Sequence, residues 1–176
     1  MMSKLIYTYK QIIFLFLVVF ITITTGNSQS LYQDFNFKMP IETAREVLEL
    51  KSKSLKNIAF GKGTLYAFRK KSLVDRDNEL ISINIWSKKN LSLKEAESYL
   101  VKGKDHFESE NFKMVYAQEN WSKPLLVKKN LPCIRFVDKD NTVVVEIDPR
   151  GQGGIYNIFV TFYNYEWFLR KARGIE

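Results

Sequence analysis

The most regular alternation of hydrophobic and polar positions lies near the middle of the chain, where Ile81, Ile83 and Ile85 alternate with Ser82 and Asn84. Successive side chains of a strand point to opposite faces of a sheet, so this pattern predicts a strand whose isoleucine face is in the core. Other segments rich in β-branched and aromatic residues predict further strands: TLYAFRKK, NFKMVYAQ, LPCIRFV, TVVVEID and GIYNIFVTFYN.

Apolar residues repeat every three or four positions in two other segments, which predicts two helices. The first lies in the segment MPIETAREVLELKSKSL, with Pro40 in its first turn and an apolar stripe of Ile41, Ala44, Val47, Leu48 and Leu55. The second begins after Ser92, and Ser92 forms a Ser-x-x-Glu capping box with Glu95. Its apolar stripe consists of Leu93, Ala96, Leu100, Gly103 and Phe107. Because glycine costs about 1 kcal/mol relative to alanine within a helix, Gly103 predicts a close approach to a strand or an aromatic ring.

This order of helices and strands predicts an α+β fold. We expect an antiparallel, curved sheet of about five to seven strands, with one or two helices packed on one face and a short C-terminal helix over residues 165–173. A degenerate internal repeat is a further hypothesis, because DRDNELISINI resembles DKDNTVVVEID and a similar helix precedes each, IETAREVL and LKEAESYL.

The N-terminus has the three-part layout of a secretory signal peptide. Two lysines precede an apolar run over residues 12–23, and small and polar residues follow it. A membrane-spanning helix needs about 20 apolar residues, so we expect cleavage and no transmembrane segment thereafter. Cleavage after Gly26, Ser28 or Ser30 is compatible with the sequence. The expected product is exported, either periplasmic or secreted, and the abundance of Lys, Asn, Ile and Phe indicates a bacterial source.

Removal of this peptide would leave one domain, expected over residues 35–176, after a polar leader over residues 27–34. The whole chain has a formal net charge of +8, and loss of the two lysines before the apolar run lowers it to +6. The other basic residues occur singly or in twos and threes, which is typical of a solvated surface. The positive charge also favours an acidic partner, an anionic lipid or an acidic polysaccharide, whereas we expect no nucleic-acid partner for an exported protein.

The stretch VDKDNTVVVEIDPRGQGG places four acidic residues and three glycines around a run of valines. Its DKDN segment does not fit a calcium loop, which needs glycine at the sixth of twelve positions and glutamate at the last. A hairpin turn is predicted instead, in which Asp and Asn side chains bond nearby backbone amides. PRGQGG resembles an anion-binding nest, but a strand follows where a phosphate loop needs a helix, so a flexible connection is predicted. We expect no metal site and no cofactor.

Two pairs of residues are candidates for catalysis. Glu146 and Asp148 are about 7 Å apart on one face of a predicted strand, a spacing that suits the carboxylates of a glycoside hydrolase. Acidic residues at such positions are ordinarily solvated or paired with a lysine on a neighbouring strand. The single histidine, His106, and the single cysteine, Cys133, form the other pair. A surface histidine and a buried cysteine are the ordinary interpretation.

The C-terminal segment IYNIFVTFYNYEWFLRKAR has apolar residues on both faces of its predicted strand. Such a strand either is covered on both sides or lines a cavity. The candidate binding residues are therefore Phe159 and Tyr163 of this strand, and Trp167 and Arg170 of the helix that follows it. Trp121 is added to them because it lies in a polar segment rich in lysine.

These patterns predict a non-catalytic binding domain for a small ligand, a polypeptide or an envelope component. The basic charge, the aromatic strand and the expected export support this interpretation. A hydrolase that uses the carboxylate pair is one alternative, and a structural or assembly subunit of the cell envelope is another.

Overall fold

The computed structural model describes residues 29–117 and 134–175. Within these ranges the chain forms a two-stranded sheet, a seven-stranded antiparallel sheet and three α-helices. The strands are β1 (Ser30–Tyr32), β2 (Phe35–Asn36), β3 (Tyr66–Ala67), β4 (Leu73–Arg76), β5 (Glu79–Ser87), β6 (Lys113–Ala117), β7 (Ile134–Val137), β8 (Val143–Gln152) and β9 (Ile155–Asn164). The helices are α1 (Ile41–Leu50), α2 (Leu93–Ser109) and α3 (Tyr165–Ala172). The predicted α+β class, antiparallel sheet and short C-terminal helix are confirmed.

No helix within the described ranges is long and apolar enough to cross a bilayer. The hairpin of β1 and β2 packs into the core, where Leu31 is 3% exposed. Part of the segment expected as a polar leader, residues 27–34, is therefore part of the fold.

The large sheet has the strand order β3-β5-β9-β8-β7-β6, and β4 also pairs with β5. Its longest pairing joins β8 to β9 and ends with Gln152 opposite Ile155. Gly153 and Gly154 close this hairpin with φ values of 63° and 86°. Two residues with positive φ form a tight turn that matches the twist of the strands, and glycine adopts it without a Cβ clash. The predicted flexible connection over PRGQGG is therefore wrong, because the strand extends to Gln152.

The hydrophobic core lies between one face of this sheet and the helices α1 and α2. The buried residues of α2 are Ala96, Tyr99, Leu100, Gly103 and Phe107. The predicted capping box of Ser92 and Glu95 is present at its N-terminus. A Cβ atom added to Gly103 would be 3.1 Å from Cδ1 of Ile147 in β8. The predicted close approach of this glycine to a strand is confirmed.

The alternation in β5 changes at a β-bulge. Val74 of β4 pairs with Ser82, whereas the next residue, Asp75, pairs with Leu80, so Ile81 is an extra residue in the ladder. Leu80 is 0% exposed, and Ile81 is only partly buried. The prediction that Ile81 shares the core face with the later isoleucines is wrong, because the bulge shifts the alternation by one residue.

Both acidic turns are hairpin turns, as predicted, but they differ in length. Asp77 and Asn78, with φ values of 53° and 63°, join β4 to β5. Before β8, Oδ1 of Asp138 accepts hydrogen bonds from the backbone N–H groups of Thr142 and Val143 at 2.6 and 2.9 Å. The acidic side chain therefore satisfies backbone donors of its own turn.

The sheet face that points away from α2 is here named the outer face. It carries Phe159 and Tyr163 of β9, whereas Phe162 of the same strand belongs to the core. Helix α3 folds back onto the outer face, where its Trp167 and Phe168 contact Tyr163. The two faces of β9 therefore lie in different surroundings.

Candidate functional site

A row of side chains crosses the outer face on three adjacent strands. Trp86 of β5 pairs with Phe159 of β9, and Phe159 pairs with Asp148 of β8. The ring centroids of Trp86 and Phe159 are 6.3 Å apart, and both side chains are half-buried. Directly paired residues on antiparallel strands point to the same face, so these three form one continuous surface, here named the platform.

A cationic side chain lies over each ring of the platform. Nζ of Lys71 is 4.5 Å from the ring centroid of Trp86, and the guanidinium carbon of Arg150 is 4.3 Å from that of Phe159. Both cationic residues are exposed. Cation–π contacts at exposed sites contribute only about 0.5–1 kcal/mol, so a bound anion could draw these side chains away at small cost.

Asp148 is the acidic member of the platform and is 6% exposed. Its Oδ2 accepts a hydrogen bond from Nε of Arg150 at 3.0 Å, and its Oδ1 is buried with no hydrogen-bond partner in the described part of the chain. Burial raises the pKa of this carboxyl above its usual value; Arg150 opposes the shift and Glu146 adds to it. A buried carboxylate oxygen without a partner destabilises a fold, and perturbed groups of this kind cluster at functional sites.

Glu146 points to the outer face like Asp148, which agrees with the predicted orientation of the pair. Its Oε2 accepts a hydrogen bond from Nε of Arg135 on the neighbouring strand β7. The expectation of a solvated pair is wrong for Asp148, which is buried, and the cation beside Glu146 is an arginine in place of the expected lysine. Each carboxylate thus has its own arginine.

Tyr163 lies on the outer face beneath α3. Its ring stacks on that of Trp167 with 5.8 Å between centroids and an interplanar angle of 15°, and it contacts Phe168 at 5.5 Å. Trp167 is 5% exposed, and burial raises the pKa of Tyr163 to about 12. Arg170 is exposed in the last turn of the helix. Tyr163 and Trp167 therefore attach α3 to the sheet, while Phe159 belongs to the platform.

A second aromatic region lies on the core side of the sheet. It is an open pocket of about 560 Å³, here named the cleft, between β1, the turn Ser54–Asn57 and the C-terminal half of α2. Its floor contains Phe60, Phe107 and Phe162, each of which is 3% exposed. The cleft and the platform thus lie on opposite faces of β9.

His106 lines the cleft. Its ring centroid is 5.5 Å from that of Phe60 and 5.2 Å from that of Phe107. Burial lowers the pKa of the imidazole, and the nearby Glu110 opposes that shift. Because an unperturbed histidine has a pKa of about 6.5, this imidazole is mainly neutral at pH 7. His106 is thus a half-buried residue of the surface whose ring lies in an aromatic environment.

Two of the sequence-based candidates, Trp121 and Cys133, lie outside the described residues. The pairing of Cys133 with His106 therefore stays a hypothesis from the sequence. Over residues 29–117 and 134–175, no group of three or more His, Cys, Asp or Glu side chains is arranged to hold a metal ion.

Trp86 and Lys71 belong to the site but are absent from the predicted set. The alternation in β5 contains the signal for Trp86, since Ile83 and Ile85 face the core and the next residue must face outward. No local pattern identifies Lys71, because it reaches Trp86 only through the pairing of β4 with β5.

Comparison with known proteins found no match to this chain among protein-family models, curated proteins or solved structures. The platform, the cleft and the sequence are therefore the basis for a function.

Proposed function

We propose that the protein is an exported, non-catalytic binding domain whose platform binds an acidic polysaccharide of the cell envelope. One observation carries the proposal: the buried carboxylate of Asp148, with one oxygen that lacks a partner among the described residues, lies in a row with Trp86 and Phe159. Such a group reduces the stability of the fold, which favours a role in binding over a role in packing.

The chemistry of an acidic sugar polymer complements the platform. The apolar faces of sugar rings stack on aromatic side chains, and Trp86 and Phe159 provide two such surfaces. Sugar carboxylates attract Lys71 and Arg150, which lie over those rings at 4.5 and 4.3 Å. When Arg150 turns towards a sugar carboxylate, Asp148 becomes free to accept a hydrogen bond from a sugar hydroxyl. The net positive charge of the chain, +8 in full and +6 without the two lysines of the expected signal peptide, attracts the polymer at longer range.

The proposal of export rests on the signal-peptide pattern at the N-terminus. Contacts of Gln29 and β1 favour two of the three possible cleavage sites of that peptide. The backbone oxygen of Gln29 accepts a hydrogen bond from the N–H of Phe37 at 2.8 Å, and β1 begins at Ser30. Cleavage after Gly26 or Ser28 keeps both features, and cleavage after Ser30 removes them. Intact-mass measurement of the processed protein tests this: a mass that corresponds to cleavage after Ser30 would contradict it.

Affinity electrophoresis in gels that contain polygalacturonate tests the ligand, with neutral dextran as the control polymer. We expect polygalacturonate to retard the protein more than dextran does. Phe159→Ala and Trp86→Ala should each weaken binding about tenfold, as is typical for aromatic residues at the centre of an interface. Leu50→Ala, at a site on α1 that is 86% exposed, should bind like the wild type.

Trp121 stays in the proposal on sequence grounds only, so Trp121→Ala belongs in the same experiment. Equal retardation of the wild type, Phe159→Ala and Trp121→Ala would refute the assigned site. Native mass spectrometry of processed protein from the exported fraction provides an independent test. Added mass that is lost on denaturation would support binding even if polygalacturonate proves to be the wrong polymer.

A hydrolase is the second candidate, because burial raises the pKa of Asp148 and the acid residue of a glycosidase needs a raised pKa. Arg150, which pairs with Asp148, opposes this role, since it favours the ionised form of that carboxylate. Incubation of polygalacturonate with the wild type and with Glu146→Gln distinguishes the two functions. Cleavage by the wild type that the variant loses would establish the hydrolase, whereas an intact polymer supports simple binding.

An assembly subunit is the third candidate. In the described part of the chain β6 pairs only with β7, and all five of its residues are exposed. An edge strand with exposed apolar side chains can pair with another chain. Light scattering that shows only monomer at high protein concentration would count against this function.

A further inference from the structure

The cleft has the dimensions and composition of a small-molecule site. Its volume of about 560 Å³ lies within the range of about 300–1,000 Å³ that is typical of ligand pockets. The floor is aromatic, since Phe60, Phe107 and Phe162 are its most buried rings. The rim is polar and includes Gln33 and Asn57. A ligand that enters the cleft would bury a flat apolar group and keep a polar group near the rim.

The charge around the cleft differs from that of the whole chain. The chain has a formal net charge of +8, yet the residues that line the cleft include Glu110 and neither lysine nor arginine. Tyr32 stands at the rim with its ring centroid 6.3 Å from that of Phe60, and the face of a tyrosine ring attracts cations. The lining of the cleft therefore offers a cation one carboxylate and several aromatic rings, and neither lysine nor arginine in the lining competes for that carboxylate.

We infer that the cleft binds a small molecule that combines an apolar ring with a cationic amine. The ring packs against Phe60, Phe107 and Phe162, and the ammonium group lies at the rim near Glu110 and Tyr32. This site is on the opposite side of the sheet from the platform, so the inference goes beyond the proposed polysaccharide binding and does not depend on it.

His106 gives this binding a pH dependence. Its imidazole lines the cleft with Glu110 and also borders a smaller pocket lined by Lys62, Lys102 and Asp105. Burial lowers its pKa, so it is mainly neutral at pH 7 and gains a positive charge as the pH falls below about 6.5. The charged imidazole repels an ammonium ligand, and affinity for the amine decreases as the pH falls.

Calorimetric titration of the processed protein with three matched ligands tests the inference. Phenethylamine, 2-phenylethanol and phenylacetate share a phenyl ring and a similar length but are cationic, neutral and anionic at pH 7. We expect the amine to bind about two- to fivefold more tightly than the alcohol, which is the range of an exposed ion pair, and the carboxylate to bind most weakly. Equal or tighter binding of the carboxylate would overturn the inference, and so would no detectable binding of the amine at concentrations of about 10 mM.

Two variants assign the binding to the cleft. Glu110→Gln should weaken binding of phenethylamine about two- to fivefold and leave binding of 2-phenylethanol unchanged. Ala59→Trp places a large side chain at an exposed lining position and should abolish binding of both ligands without removal of a core residue. Leu50→Ala is the control. If a folded Ala59→Trp variant, checked by circular dichroism, binds the amine like the wild type, the assignment to the cleft is wrong.

The pH dependence provides the final readout. Wild-type protein should bind phenethylamine more weakly at pH 5 than at pH 7, and the ratio of the two affinities should be closer to one in His106→Gln, whatever its affinity at pH 7. An equal pH dependence in the variant would show that His106 does not control the site.

Discussion

The platform and the cleft both use rings of β9, but they place those rings among different charges. Phe159 belongs to the platform, where Arg150 lies 4.3 Å from its ring centroid. Phe162 belongs to the cleft, whose lining includes Glu110 and neither lysine nor arginine. Because side chains alternate along a strand, one strand places aromatic rings on two surfaces with different charged neighbours. An aromatic residue provides a contact area, and the charged residues around it decide which ligand prefers that area.

The two regions also differ in how far the fold depends on them. The rings at the floor of the cleft belong to the hydrophobic core, whereas Trp86 and Phe159 of the platform are half-buried. Substitution of a platform ring should therefore reduce the stability of the fold less than substitution of a ring at the floor of the cleft. For this reason the proposed ligand site in the cleft is best tested at residues of its rim.

The largest expected difference between the two regions is in the free energy of unfolding that is lost when one aromatic ring is removed from each. Phe107→Ala, in the core beneath the cleft, should reduce the free energy of unfolding by about 3–5 kcal/mol, the usual result for a buried phenylalanine. Phe159→Ala should reduce it by less than about 2 kcal/mol, because that ring is half-buried. Urea unfolding measures both values. Equal losses would show that the platform is as much a part of the core as the cleft.

A smaller loss is expected when α2, which forms one wall of the cleft, is pushed away from β8. Gly103→Val adds side-chain atoms at a position where even a Cβ would be 3.1 Å from Cδ1 of Ile147. Overpacking of this kind should reduce the free energy of unfolding by about 1–3 kcal/mol. Lys94→Val, at an exposed position of α2, controls for the helix propensity of valine. If both variants unfold at the same urea concentration, a clash with Ile147 at position 103 does not destabilise the fold, and the prediction is wrong.

Asp148→Asn tests whether the platform keeps a destabilising charge. The raised pKa of this carboxyl means that the folded protein favours its protonated form. Since the unfolded value is about 3.9, the wild type should lose stability relative to the variant as the pH rises from about 4 through the folded-state pKa. At pH 7 the variant should be more stable by about 1 kcal/mol, a typical cost of an unsatisfied buried group. Urea unfolding at pH 4 and pH 7 measures the difference, and a less stable variant at pH 7 would contradict the account of Asp148.

The smallest expected effect is a change of stability with pH caused by His106 in the cleft. Its sign is opposite to that of the change caused by Asp148. Burial lowers the pKa of His106 in the folded protein, whereas the unfolded value is about 6.5. As the pH falls below about 6.5 the unfolded chain binds a proton first, so stability decreases until the folded-state pKa is reached. Because the side chain is only half-buried, this change should be smaller than that at Asp148. Thermal unfolding at pH 5 and pH 7 measures this decrease, and we expect it to be smaller in His106→Gln than in the wild type. If both proteins lose the same stability between pH 7 and pH 5, groups other than His106 are responsible.

Local patterns in the sequence were sufficient to predict the helix α2. Its apolar stripe and its capping box both involve residues three or four positions apart, and both are present in the structure. Strand details were predicted less well. The bulge at Ile81 and the extension of β8 to Gln152 depend on the partner strands β4 and β9, which no local pattern specifies.

For the candidate binding residues, too, local patterns predicted the face of the strand but not the contacts made there. Alternation places Phe159 and Tyr163 on one face of β9, as the sequence predicted. The sequence did not predict that α3 stacks Trp167 on Tyr163, whereas Phe159 lies beside Trp86 and Arg150. These contacts depend on where a helix and two other strands lie in the folded chain.

By itself, the sequence determined which side chains share a face of each strand or helix, because the repeats of two and 3.6 residues are local properties of the backbone. Only the tertiary structure decided that Asp148 is buried, that Lys71 lies over Trp86, and that His106 joins an aromatic cleft. The burial of a side chain and its distance from a charge depend on residues that are far apart in the chain. Both are therefore set only when the strands have paired and the helices have packed against the sheet.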